Sequence, residues 1–119
     1  MKTIMVIDDE PDTLILVEAV LSMNGFSAIT FDSSKKALDT LKKGKKPNLI
    51  LLDMRMPVIS GPEFCQELKK AKLENLKIVF FTASSNLDKN LAKKSGALGY
   101  IFKPFSNDDL VKQINKYLE

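Results

Sequence analysis

Four short apolar runs recur along the chain, separated by stretches long enough to hold a helix: TIMVI at 3–7, LILL at 49–52, IVFF at 78–81 and YIF at 100–102. Three of them are apolar without interruption. Strands of that kind suit the middle of a parallel sheet covered on both faces. A further segment, FSAITF at 26–31, mixes in polar residues and suits an edge strand.

The intervening stretches carry apolar residues at helical spacing. The first helix begins near Pro11, a residue suited to a first turn, and places Leu14, Val17 and Leu21 on one face. The second follows FDSS, where Asp32 or Ser33 can cap, and presents Ala37, Leu38 and Leu41. The third starts at GPEF, with Pro62 in its first turn and Phe64, Leu68 and Ala71 turned inward. The fourth, over about 86–95, is short and polar, with Leu87 and Leu91 as its apolar anchors. The fifth opens with Ser106 and Asp109 at capping-box spacing, followed by Leu110, Ile114 and Tyr117 or Leu118. This is an α/β pattern of five strand–helix units. Right-handed crossovers turn it into an open parallel sheet with helices on both faces, and the flavodoxin-like strand order 2-1-3-4-5 is predicted.

At 119 residues, the chain suits one domain over 1–119. No apolar run approaches the ~20 residues that span a bilayer, and the start lacks a signal-peptide cleavage pattern. The expectation is a cytoplasmic protein without membrane contact. Cys65 is the only cysteine, so an internal disulfide is excluded and the residue reads as a small buried hydrophobe. There is no histidine, which excludes Ser-His-Asp and Cys-His catalysis, histidine metal sites and a phosphohistidine carrier. The formal net charge of +3 is too mild to imply nucleic acid, and the basic run LKKGKKP at 41–47 reads as a solvated helix end and turn. Acids instead crowd the first third of the chain: Asp8, Asp9, Glu10, Asp12, Glu18 and Asp32 against the single base Lys2.

Chemistry enters where the strands end. The first runs into Asp8-Asp9, the third into Asp53, the fourth into Thr82 and the fifth into Lys103. Each alone is unremarkable. In a parallel sheet, however, all these ends emerge at one edge, where open α/β sheets hold their ligands. Three carboxylates together repel and raise one another's pKa, so a cation is called for. Lys103 supplies one charge. A few all-oxygen ligands with room for water favour Mg²⁺ over zinc or calcium. A carboxylate beside Mg²⁺, an ammonium and a hydroxyl is equipped to accept a phosphoryl group.

VIDDE at 6–10, LLDMRMPVISG at 51–61, FTAS at 81–84 and GALGYIFKPF at 96–105 together resemble the receiver domain of two-component response regulators, in order and spacing, over the whole chain. The resemblance implies that Asp53 is the phosphoacceptor, with Thr82 and Lys103 contacting the phosphoryl oxygens. It implies Mg²⁺ held by Asp9 directly, by Asp8 largely through water, by Asp53, and by the backbone carbonyl of Arg55. It implies a cis Lys103-Pro104 bond, a Thr82–Tyr100 switch, and lifetimes of the aspartyl-phosphate tuned at Arg55 and Ser84. The implied donor is a sensor histidine kinase or phosphotransfer protein. The implied output is a protein target read through the fourth helix, fifth strand and fifth helix, with no direct contact to nucleic acid. A monomer or a weak phosphorylation-dependent dimer follows, as does a protein that catalyses only its own phosphorylation and slow dephosphorylation. Two departures stand out: Ile59-Ser60 where the family often has Met-Asp, and Gly99 where an aspartate is frequent.

Other readings compete. An aspartyl-phosphate phosphatase needs a second acid two residues beyond the nucleophile, and position 55 is arginine. A flavin carrier needs a phosphate-cradling loop after the first strand, and this chain has acids there. The chain ends at INKYLE, directly after the fifth helix, which favours a complete single-domain regulator over one domain of a larger regulator or hybrid kinase.

Overall fold

The computed structural model describes residues 1–73, 75–83 and 90–119. Five strands, β1 (Thr3–Ile7), β2 (Ser27–Phe31), β3 (Leu49–Asp53), β4 (Ile78–Thr82) and β5 (Gly99–Phe102), form one parallel sheet in the order β2-β1-β3-β4-β5. Between and after them run α1 (Pro11–Met23), α2 (Ser34–Lys42), α3 (Gly61–Lys70), α4 (Leu91–Ser95) and α5 (Asn107–Leu118).

Strand side chains alternate between faces, so each central strand feeds two cores. Met5, Ile7, Ile50, Leu52 and Phe80 meet the buried faces of α2 and α3, among them Leu38, Leu41, Phe64 and Leu68. Ile4, Val6, Leu51, Val79 and Phe81 meet α1 and α5 through Val17, Leu21, Leu110 and Ile114. Every residue of β3 and β4 is buried, whereas β2 is half-buried throughout, as its polar content predicted for an edge.

Helix starts follow their capping chemistry. Ser33, not Asp32, caps α2 by accepting the Lys36 N–H at 3.3 Å. Ser60 and Glu63 form a reciprocal capping box on α3, so Ser60 does the work expected of the more usual aspartate. Ser106 accepts the Asp109 N–H at 3.1 Å to start α5. Two inward positions differ from expectation. Ala71 is exposed, because α3 ends at Lys70 and Ala71 is its C-cap. In α1, Val20 joins the buried set while Leu14 is only half-buried. Leu87 and the start of the fourth helix lie outside the described residues. No helix among the described residues is long and apolar enough to cross a membrane.

Glycine at two positions is a packing requirement. A Cβ at Gly61 would sit 3.0 Å from the Met54 Cα and 3.2 Å from the Phe80 ring, so α3 can start this close to the end of β3 only without one. A Cβ at Gly99 would collide with the Tyr117 hydroxyl, which donates to the Tyr100 carbonyl. The absent aspartate on β5 therefore leaves the space that a tyrosine of α5 fills.

Candidate functional site

Chain direction alone gathers the site. Asp8 follows β1, Asp53 closes β3, Thr82 closes β4 and Lys103 follows β5, all at the carboxyl edge of the sheet. The register sets β4 one step beyond β3: Asp53 pairs with Phe81 and Thr82 with Phe102. The Lys103 N–H then donates to the Thr82 carbonyl at 2.8 Å, which ties lysine and threonine through the backbone.

Asp8 is fully buried, yet both of its oxygens are engaged. Oδ1 accepts the Glu10 N–H at 2.9 Å and Oδ2 accepts the Lys103 ammonium at 2.6 Å. That ammonium lies 3.6 Å from Asp53 Oδ2 and 4.0 Å from Glu10 Oε1. Behind it, Lys103 Nζ sits 5.8 Å from the Phe81 ring centroid, and Phe81 stacks on Phe105 at 5.4 Å. The ring wall excludes water on one side and attracts the cation electrostatically. The Lys103-Pro104 bond is cis.

Asp53 Oδ1 accepts the Arg55 N–H at 2.9 Å, so Arg55 enters the site through its backbone while its side chain stays exposed. The Asp53 carboxyl is shifted upward from its usual range. Burial is the leading cause; the Arg55 N–H and the Lys103 ammonium oppose it, and repulsion from Asp8 and Asp9 adds least. The direction is that expected from clustered carboxylates, but desolvation outranks repulsion as its cause. Burial works against the Lys103 charge, yet the hydrogen bond it donates to Asp8 and the charges of Asp8, Asp53 and Glu10 prevail and raise its pKa.

Carboxylate oxygens of Asp8, Asp9, Glu10 and Asp53 all lie within 4.8 Å of one another. Asp9 and Glu10 are exposed and Asp8 and Asp53 buried, so the cluster is open on one side only. Hard oxygen donors at this spacing, with a solvent-facing side for retained water, fit Mg²⁺.

Asp8, Asp9, Asp53 and Lys103 thus come together as their strand-end positions predicted. Thr82 is buried at the same edge. Tyr100 lies on the other side of β5: its ring packs beside Phe80 and stacks on Phe102, and its hydroxyl accepts the Ala92 N–H of α4 at 3.0 Å. Ser84 lies outside the described residues. Two participants carried no assigned role. Glu10 belongs to the carboxylate cluster, a role its place beside Asp9 could have signalled. Ser34, buried at the start of α2, donates to the Ile59 carbonyl at 3.0 Å and so anchors the loop that follows Asp53. Nothing in the sequence marks a contact between residues 25 apart.

A family model for the response regulator receiver domain matches residues 4–115. The chain belongs to that family. Among curated relatives, this receiver domain is 33% identical to sporulation initiation phosphotransferase F of Bacillus subtilis, over 98% of this chain and 94% of that one. It is 37% identical to the probable transcriptional regulator ycf27 of Porphyridium aerugineum, over 98% of this chain and 48% of that protein. The chain therefore spans about half the length of several curated relatives it matches. Among solved structures, a CheY-like receiver domain protein from Methanospirillum hungatei superposes with a TM-score of 0.86 at 32% identity, covering 98% of this chain and 94% of that one. The response regulator TrrA of Thermotoga maritima, in complex with Mg²⁺-BeF, gives 0.84 at 34% identity, covering 98% and 99%. The five-stranded order and the flanking helices are those of this family's fold. The flavin-carrier and phosphatase alternatives gain nothing from any of these comparisons.

Proposed function

We propose that this domain, over residues 1–119, takes a phosphoryl group from a partner's phosphohistidine onto Asp53 and signals the change to a protein target. The observation that carries the reading is the constellation at the carboxyl edge of the sheet: Asp53, held by the Arg55 N–H, faces Lys103 at 3.6 Å among three further carboxylates. The donor's P–N bond breaks, with its electron pair returning to the imidazole nitrogen, as the bond from an Asp53 carboxylate oxygen to phosphorus forms. Lys103 is placed to leave Asp8 for a phosphoryl oxygen, and the Thr82 hydroxyl donates to another. Asp8, Asp9, Asp53 and the Arg55 carbonyl would hold Mg²⁺, which when bound offsets charge on the phosphoryl oxygens. The structure of TrrA supports this reading, being that of a similar response regulator in complex with Mg²⁺-BeF.

Exposure to acetyl phosphate with Mg²⁺ should raise the intact mass by one phosphoryl group. Asp53→Ala and EDTA should each abolish the gain; undiminished labelling of Asp53→Ala would refute the assignment. The output reading is that Thr82, drawn toward the phosphoryl group, vacates space for the Tyr100 ring, so that the surface of α4, β5 and α5 changes. Beryllofluoride should then move amide resonances in 90–105, and Thr82→Ala should prevent it. Shifts confined to the loops after β1, β3 and β4 would place the output elsewhere.

A further inference from the structure

A second concave site lies at the opposite end of the sheet. Its volume is about 450 Å³, within the ordinary range of ligand sites. It is built by the loop into β3 and the loop into β4, at the amino ends of both strands. Its floor is apolar: Leu41, Pro47, Leu73 and Leu76. Its rim is cationic: Lys45 and Lys46 from one loop and Lys72 from the other. Lys77 also lines it but is committed, its ammonium donating to the Tyr117, Leu118 and Glu119 carbonyls at 3.1–3.3 Å. Among the described residues no carboxylate lies within ion-pair distance of Lys45, Lys46 or Lys72. Over segments 41–48 and 72–77 the sequence carries six lysines, with Glu74 as the sole acid.

From here to Asp53 is the length of β3, roughly 16 Å at ~3.3 Å per residue, which exceeds the ~10 Å Debye length at 0.1 M salt. The pocket's positive field is therefore its own and is not cancelled by the acidic pole. Its lining contains no aromatic residue, so the stacking platform that single-stranded nucleic acid uses is missing. A bare phosphate would leave the apolar floor unused. We propose that this pocket docks an acidic peptide segment of a partner protein, with a Leu- or Phe-sized side chain on the floor and flanking carboxylates on Lys45, Lys46 and Lys72. The pairing is by charge complementarity across a rim whose lysines come from both sides, with specificity from the apolar anchor.

The probe is a short peptide alternating Asp or Glu with Leu and Phe, titrated into the isotope-labelled full chain at about 0.1 M salt, where surface pairs are moderately screened. Methyl resonances of Leu41, Leu73 and Leu76 and amides of 44–46, 48 and 75–77 should move together. The variant Lys45→Gln/Lys46→Gln/Lys72→Gln should weaken binding by roughly tenfold, the sum of three exposed ion pairs of ordinary strength. Its melting temperature and its labelling by acetyl phosphate should match the parent. Equal affinity for a peptide with Ser in place of Leu and Phe, or for tripolyphosphate, would overturn the proposal in favour of unselective anion attraction. Parent-like binding by the triple variant, or shifts located elsewhere, would overturn it outright. If sedimentation of the parent without peptide shows association that the triple variant abolishes, the occupant is a second copy's acidic pole and the peptide assignment fails.

Discussion

Asp53 shows how much one residue's surroundings decide. Its carboxyl is raised by burial, so in the folded chain it holds its proton more tightly than in the unfolded one. At neutral pH its ionised form costs stability, and that cost disappears as pH falls through the raised folded value toward the ordinary 3.8. Asp53→Asn should accordingly raise the melting temperature at pH 7 in EDTA, with the gain shrinking in acid. Lys103 has the opposite linkage: its raised pKa contributes stability that is complete below the ordinary 10.5 and is lost as pH rises through the folded value. Two residues of the loop after Asp53 behave differently. Arg55 is exposed, two positions beyond the acceptor, and its backbone N–H is bonded to Asp53. Arg55→Asn should shorten the aspartyl-phosphate lifetime several-fold, measured as loss of the phosphorylated mass after donor removal. An unchanged lifetime would make Arg55 a solvated charge and no more. Val58 is 90% exposed at φ 70°, a conformation a β-branched residue resists. Val58→Gly should raise stability by roughly 0.5–1 kcal/mol in denaturant unfolding, the relieved strain exceeding the added freedom of the unfolded chain.

At the scale of elements, β3 and the start of α3 form the rigid mount. The Gly61 N–H donates to the Met54 carbonyl at 3.0 Å, drawing the helix against the strand end that carries Asp53. Gly61→Ala places a methyl against backbone that cannot yield cheaply and against Phe80 in the core. The expected cost is about 1–3 kcal/mol, the usual range for overpacking, read from the midpoint of urea unfolding. Cys65, on the buried face of the same helix, has its thiol pushed up to about 11 by burial, which keeps it protonated and inert at neutral pH. The described part of α4 buries Ala92 and meets β5 through the Tyr100 hydroxyl, which accepts the Ala92 N–H.

For the whole molecule, charge is polar. Acids gather at the carboxyl edge of the sheet and lysines at its amino edge, on a chain whose formal net charge is only +3. Metal binding at the acidic pole should stabilise the entire domain by mass action. Mg²⁺ at ten times its dissociation constant should add about 1.4 kcal/mol, seen as a rise of several degrees in melting temperature. Asp9→Ala should remove most of that rise while leaving the metal-free protein nearly unchanged, since Asp9 is exposed. A rise that survives Asp9→Ala would move the metal off this cluster.

The strands, their order and the common edge of Asp8, Asp53, Thr82 and Lys103 were legible in the sequence, because continuous apolar runs alternating with helical stretches suit a doubly covered parallel sheet, whose strands expose their ends together. The cap at Ser106 was legible because it is chemistry within one turn. Tertiary structure alone decided what depends on distance across the chain. Lys103 selects Asp8 as its closest partner, Ser34 braces the loop after Asp53, and Gly99 yields its space to Tyr117. It alone also assembled the lysine-rimmed pocket, by bringing the loop of 71–77 beside the basic run at 41–47 that in sequence reads as an ordinary solvated turn. Periodicity records which face of an element is buried; it carries no record of which remote side chain fills the space opposite.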